Sequence, residues 1–271
     1  LGNLFVLRRI RAQRFEAAVG CSYGYSKRLE RLTFFTGAGI RVGAVPVGRA
    51  SSKFFYNTPV PEPSDPIHEV EAMMRLLEPL GVTGPAPAML VSPSSVELEK
   101  ARQYLKRVGL KETDRLVAMQ ISSRKPQNRW PKERFRELGD MLQGRLGLRV
   151  MLLWAPGSVA NPLHPGDDEK ADWLISSMAK RPLVYRTGTL AELIASMSLA
   201  EAVVTPDGGA MHIAAALSKP VLTVWGSTDS RRWAPWGVPC IILQKETKLA
   251  GSVSSEEAFE AFTRIYKKVS K

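Results

Sequence analysis

Histidine and cysteine are scarce in this chain: 271 residues hold three of the first and two of the second. Cys21 and Cys240 lie far apart and neither stands in a C-x-x-C pair, which excludes a disulfide scaffold and fits a reducing cytoplasm. His68, His164 and His212 are too few and too scattered for a histidine-based metal centre, so no metal is expected. No apolar run approaches the ~18 residues that a membrane span needs. A signal-peptide pattern, internal repeats and low-complexity tracts are also missing. So are zinc fingers, aromatic RNP-like strands and long basic blocks, and nucleic acid is not expected as a partner.

What the chain has is apolar material and positive charge. Hydrophobic residues make up 44% and charged residues 24%, enough for two cores in domains of roughly 100–150 residues. The formal charge is +12, spread thinly over stretches such as "LRRIRAQR", "YSKRLERL" and "YKKVSK". Such an excess is either a solvated basic surface or a means of holding anionic partners, phosphorylated molecules or an anionic membrane face.

The patterning predicts an α/β protein in two parts. Residues 4–14 read as a helix, Glu16 to Gly20 and "IRVGAV" as short strands, 50–66 as a Ser- and Pro-rich loop, and 67–80 as a helix. Another helix runs to Gly109. From 115 onward, short continuously apolar runs alternate with helical stretches, beginning with "RLVAMQI" and ending with "PVLTVWG". That alternation predicts a parallel sheet covered on both faces, a doubly wound domain. The expected boundaries are 1–110 for a first domain, 111–253 for the second, and 254–271 for an amphipathic helix packing back on the first. A doubly wound unit should open with a strand, whereas this chain opens with a helix at Leu1; natural residues are expected to precede it.

Ligands of open parallel sheets sit at the carboxyl ends of the strands. In "VVTPDGGAMHIA", Asp207, Gly208, Gly209 and His212 fall at such an end, on the first turn of the next helix. Two glycines permit close approach of a ligand, and the free amides and dipole of the helix N-terminus favour an anion. His212 is within reach of a phosphate, and Asp207 suits sugar hydroxyls or simple capping. A second stretch, "QISSRKPQNRWPKERF", follows the first strand of the same domain and offers Ser122 and Ser123 hydroxyls with the charges of Arg124, Lys125 and Arg129. Both stretches could converge on one diphosphate, for which the arginine fork is suited. The loop "WGSTDSRRWAPWG" at 225–237 either lines the same cleft or packs on the surface. Asp167, Asp168 and Glu169 open a helix after the second strand, as dipole stabilisers or as ribose contacts.

The order "RWPKERF", then "GTLAELIASMSLAEAVVTPDGGAMHIAAALSKPVLTVWGSTD", then "WAPWG" resembles the C-terminal half of family 9 glycosyltransferases, the lipopolysaccharide heptosyltransferases. The resemblance runs from about 116 to 250; residues 1–110 resemble the acceptor domain less distinctively. It implies a GT-B fold of two Rossmann-like domains, the first incomplete here. It implies inverting, metal-independent transfer of a heptose from an ADP-heptose-type donor to the lipid A inner core, with no cofactor beyond that ADP-sugar substrate. The donor would be held by Ser122, Ser123, Arg129, Asp207, Gly208, Gly209 and His212, with Glu169 or Asp168 at the ribose and Arg129 stabilising the diphosphate. Where the family often has Thr or Ser, this chain has Gly208, and where it has a lysine before Trp-Pro, this chain offers Arg129. The family's catalytic aspartate lies in a front segment without counterpart here, so the base is expected outside this chain; Asp65 or Glu69 would be the substitutes if the chain is active. The acceptor would be the lipid A and core oligosaccharide, met by an enzyme that is cytoplasmic and peripheral at the inner membrane. The alternatives are a non-catalytic sugar-nucleotide-binding relic and a GT-B-like sugar-nucleotide epimerase.

Overall fold

Short apolar runs separated by helical stretches form parallel strands, as their patterning requires. The computed structural model describes residues 2–48, 54–161 and 165–269; residues 50–53 of the expected loop, and His164, lie outside these. The chain divides into two units, Leu1–Pro87 with Arg231–Ala234, and Ala88–Ser230 with Pro235–Lys271. Among the described residues no helix is long and apolar enough to cross a membrane.

The first unit runs α1 (Gly2–Ala12), β1 (Ala17–Gly20), α2 (Lys27–Phe35), β2 (Ile40–Val45), β3 (Thr58–Pro61) and α3 (Glu69–Arg75). Its three strands are parallel in the order β1-β2-β3. Neither α2 nor β3 was expected. The charged run of α2 reads as surface, yet Ser26 caps it by accepting from the Leu29 amide. β3 lies inside the Pro-rich loop, and its two prolines are tolerated because it is an edge strand.

Gly20 and Gly43 are register partners on β1 and β2, and a Cβ on either would lie within 2.4 Å of the buried Tyr56 side chain. The two glycines open the slot that the ring fills, above a small core of Val42, Ala44, Val60 and Leu76. Burial pushes the Tyr56 hydroxyl above its ordinary range. His68 caps α3: Nδ1 accepts from the Val70 amide at 3.1 Å. Nε2 therefore carries the proton and donates to the Ala234 carbonyl at 2.9 Å.

The second unit contains α4 (Ser95–Arg107), β4 (Leu116–Gln120), α5 (Lys132–Arg145), β5 (Arg149–Leu153), α6 (Asp168–Ser177), β6 (Leu183–Val184), α7 (Leu190–Ser198), β7 (Ala202–Pro206), α8 (Gly209–Ala216), β8 (Val221–Trp225), β9 (Cys240–Gln244) and α10 (Ser255–Val269); the short α9 (Ser230–Trp233), between β8 and β9 in the chain, falls in the first unit from Arg231 on. Six parallel strands stand in the order β6-β5-β4-β7-β8-β9. This is the doubly wound arrangement, with the sense of winding reversing between β4 and β7. β9, a half-buried edge strand, extends the sheet one strand beyond the expectation.

Two boundaries differ from the sequence reading. α4 belongs to the second unit, where Ala101 and Leu105 are fully buried and Tyr104 meets Tyr185 edge-on at 5.2 Å. The C-terminal helix, expected to pack on the first domain, instead places Ala258, Ala261, Phe262 and Tyr266 in the core of the second, with Phe135, Leu138 and Leu142 of α5. Its apolar stripe is legible in the sequence, but the surface it covers is not.

Candidate functional site

The reversal between β4 and β7 leaves a crevice at the carboxyl edge of the sheet. Ser122 and Ser123 follow β4 and, being adjacent in extended chain, face opposite sides. Ser122 Oγ accepts from the Ala155 amide at 2.9 Å, after β5, and keeps its own proton to donate. Ser123 Oγ donates to the Asp207 carbonyl at 3.0 Å, after β7. The paired hydroxyls thus tie the central loop to its neighbours on either side.

Asp207 is buried and does not cap α8; its carboxylate faces inward. Asn128 Nδ2 donates to Oδ2 at 2.6 Å, and Thr228 Oγ1 donates to the same oxygen at 2.5 Å. Asn128 Oδ1 in turn accepts from the Gly226 amide at 3.0 Å. Gly226 must be glycine, because a Cβ there would lie 2.2 Å from the Gln127 carbonyl oxygen. Gln244 completes the knot by donating to the carbonyls of Gly226 and Thr228 at 2.7 and 2.8 Å. The loops after β4, β7 and β8 therefore form one braced surface. Sequence reading missed Asn128, Thr228 and Gln244; the only signal for them was their position at strand ends.

At Gly208 and Gly209 the situation is the reverse. Gly208 is extended (φ 166°), and a Cβ on either residue would meet nothing within 4 Å. Neither backbone strain nor packing requires these glycines, and the space over them is free for a ligand. Among the described residues the amides of Gly208, Gly209 and Ala210 donate no hydrogen bond. Three N–H groups at the positive end of α8 are thus available to an anion. His212 is half-buried one turn further on.

Arg129 Nε donates to the Ser123 carbonyl at 3.0 Å, and among the described residues the two terminal nitrogens of the guanidinium have no protein partner. Arg129 lines a cleft of about 360 Å³ with Lys132, Val159, Asp167, Glu169 and Lys170. Of the three acids at the start of α6, Asp167 is buried and faces this cleft, whereas Asp168 accepts from Trp154 Nε1 at 2.6 Å. Glu169 is exposed and accepts from Ser158 Oγ at 2.6 Å, a bond that lowers its pKa. Arg124 and Lys125 are exposed on the same loop. A second cleft of about 300 Å³, largely apolar, is lined by Gln120, Trp154, Pro156, Thr187, Leu193 and Ala210.

The 225–237 loop splits. Its first part supplies Thr228 to the braced surface, whereas residues 231–234 pack in the first unit, where Arg232 bonds Glu69 at 2.7 Å and lies over the Tyr23 ring. Glu69 is thereby engaged in an ion pair, and Asp65 accepts from Ser64. Among the described residues no three His, Cys, Asp or Glu side chains gather in a way that could hold a metal ion.

A sequence model of glycosyltransferase family 9 (heptosyltransferase) matches residues 7–262. The chain belongs to this family. It is 30% identical over 171 residues to lipopolysaccharide heptosyltransferase 3 of Escherichia coli (strain K12), a match covering 62% of this chain and 47% of that protein. A 100-residue stretch, 37% of this chain and 28% of the relative, is 32% identical to lipopolysaccharide heptosyltransferase 1 of the same strain. The chain spans about half the length of the curated relative it matches over the longer stretch. Among solved structures, a family 9 glycosyltransferase from Veillonella parvula superposes with a TM-score of 0.79 at 22% identity, covering 97% of this chain and 77% of that one. The Escherichia coli ADP-heptose lps heptosyltransferase II gives 0.70 at 16% identity, covering 98% and 80%. These likenesses establish the fold as the α/β, GT-B type with Rossmann-like domains.

Proposed function

We propose that the second unit binds an ADP-heptose-type donor and that the protein moves the heptose to the inner core of lipopolysaccharide. The observation that carries this reading is the set of unpartnered donors at the switch point: three helix amides, the terminal nitrogens of Arg129 and the hydroxyl of Ser122. Such a set is suited to a diphosphate. The apolar cleft beside Ala210 has the size and lining for the nucleobase. The acids of α6 face the side where the ribose would lie, and Asp167 suits that contact better than Glu169 because it is buried and, among the described residues, its carboxylate accepts no hydrogen bond.

In such a transfer, negative charge grows on the leaving diphosphate. Arg129, His212 and the helix amides are preorganised to meet it, a role that a metal would otherwise fill. Inversion at the sugar carbon requires an acceptor hydroxyl activated by a base from the opposite face. The +12 charge suits a cytoplasmic protein held against an anionic membrane face bearing phosphorylated acceptor.

Calorimetry with ADP, AMP and UDP tests the donor site. ADP should bind, AMP at least about tenfold more weakly because it lacks the second phosphate, and UDP more weakly through the base. Equal affinities for ADP and AMP would remove the diphosphate from the reading. Transfer is tested with ADP-heptose and a heptose-deficient lipopolysaccharide. Arg129→Ala should lower kcat more than it raises KM, because its charge matters most in the transition state.

A further inference from the structure

Lys170, on the first turn of α6, is a lysine with no carboxylate partner among the described residues. Nζ donates to the Ile121 carbonyl at 2.9 Å and to the Trp130 carbonyl at 3.0 Å, and lies 4.5 Å from the centre of the Phe135 ring. Among the described residues it makes no ion pair. Ile121 and Trp130 are the residues on either side of the 122–129 loop, which carries Ser122, Ser123, Asn128 and Arg129. Both are fixed beyond the loop: Ile121 is fully buried, and Trp130 donates its ring N–H to the Val253 carbonyl at 2.9 Å. One ammonium thus staples the base of the whole loop, in the cleft it shares with Arg129.

A neutral side chain could not serve as well, since charge-assisted bonds to carbonyls are about twice as strong as neutral ones. The charge is held at a cost. Burial lowers the lysine to about 8, opposed by the Coulombic pull of Asp167 and Glu133 and assisted by the repulsion of Arg129. Lys132 and Glu169 also face the cleft. An anion arriving beside Arg129 would favour the protonated form.

We propose that Lys170 is a positioning residue for the anion-binding loop: it holds the two ends of residues 122–129 together, and anion capture by that loop is coupled to its protonation. The proposal rests on the donor reading above for the identity of the anion, but not for the staple itself.

Two measurements separate these. In calorimetry with ADP near pH 8, repeated in buffers of different ionisation enthalpy, the wild-type protein should take up a fraction of a proton. Lys170→Met and Lys170→Arg should take up none, and Lys170→Arg, permanently charged, should keep affinity within roughly threefold of wild type. Lys170→Met should lose roughly tenfold. Proton uptake that persists in both variants overturns the coupling. Hydrogen exchange without any ligand tests the staple: amides 121–130 should exchange several-fold faster in Lys170→Met and at the wild-type rate in Lys170→Arg. Were Lys170→Met not to fold, the comparison is made with Lys170→Gln, which keeps a donor but not the charge, and amides 121–130 should again exchange several-fold faster than in Lys170→Arg. Unchanged exchange in every case overturns the staple. Absence of ADP binding to the wild type would overturn the donor reading and leave the exchange results to decide the staple.

Discussion

The side-chain amide of Asn128 donates to the Asp207 carboxylate at 2.6 Å, and the same amide's oxygen receives the backbone N–H of Gly226. One asparagine therefore fixes the ends of two strands besides its own. Replacing it with alanine leaves a buried carboxylate with Thr228 alone. Asn128→Ala should destabilise the second unit by about 2–3 kcal/mol in urea unfolding. Asn128→Asp should do no better, because it sets a second carboxylate against the first. A stability within 0.5 kcal/mol of wild type, on the order of a surface change, would mean that the brace is idle.

The glycines of the site divide into two kinds. Gly226→Ala should cost about 2 kcal/mol or more, because its Cβ meets backbone that cannot move aside. Gly208→Ser should leave stability nearly unchanged, since open space surrounds it. Gly209→Val should fold but bind ADP at least about tenfold more weakly by filling the approach to the helix amides. Thermal unfolding and calorimetry on the three variants decide the matter; equal losses of stability would erase the distinction.

In the first unit, Tyr56 and the glycine pair form one packing device. Gly43→Ala and Tyr56→Ala should each cost roughly 3 kcal/mol, the first by collision and the second by a cavity. Their combination should cost less than the sum, because the added methyl enters the space that the ring leaves. Additive losses would show that ring and glycine do not share that space.

His212→Ala should weaken ADP binding by about 1–3 kcal/mol through loss of a bond from the imidazole to the diphosphate, and unchanged affinity would remove the imidazole from the site. The comparison is made by calorimetry at fixed salt, since screening alters every contact to phosphate.

The pH dependence of stability carries the signature of Lys170. Its ordinary value is 10.5 and the folded chain lowers it to about 8, so between those values the unfolded chain holds more protons. Stability contributed by this residue therefore rises as pH increases from about 8 to 10.5, and below 8 its charge is a net burden. Urea unfolding at about pH 7.5 and 9.5 should show this gain in the wild type and not in Lys170→Met. Parallel changes in the two proteins would place the titration elsewhere.

Much of this arrangement was legible in the sequence because it depends on local pattern. Continuous apolar runs such as "RVMLL" fix β5, and a glycine pair after a strand marks the start of α8. The strand at Thr58–Pro61 was not legible: two prolines in four residues argue against a strand everywhere except at a sheet edge, and edges are set by tertiary pairing. The partners of α4 and α10 were hidden for the same reason, since an amphipathic stripe states that a helix packs but not on what. In the site, Ser122, Ser123, Arg129, Gly208, Gly209 and His212 fall at one carboxyl edge, as chain position implies. The inward turn of Asp207, the brace of Asn128 and the staple of Lys170 arise from contacts across 40 to 84 residues or more, and no local pattern encodes them.

The brace spans 79 residues from Asn128 to Asp207 and 98 from Asn128 to Gly226. Those separations fix when the site comes into being as the chain folds. A molecule in which only β4, β5 and β6 have paired holds the basic loop without the helix amides, and one in which only β7, β8 and β9 have paired holds the amides without the loop. Closing so long a loop carries an entropic cost before any contact is returned, so the seam between β4 and β7 belongs among the late events. An anion that needs both halves can recognise only the finished seam. It would leave the folding rate nearly untouched and act on the reverse process, lengthening the lifetime of the native chain.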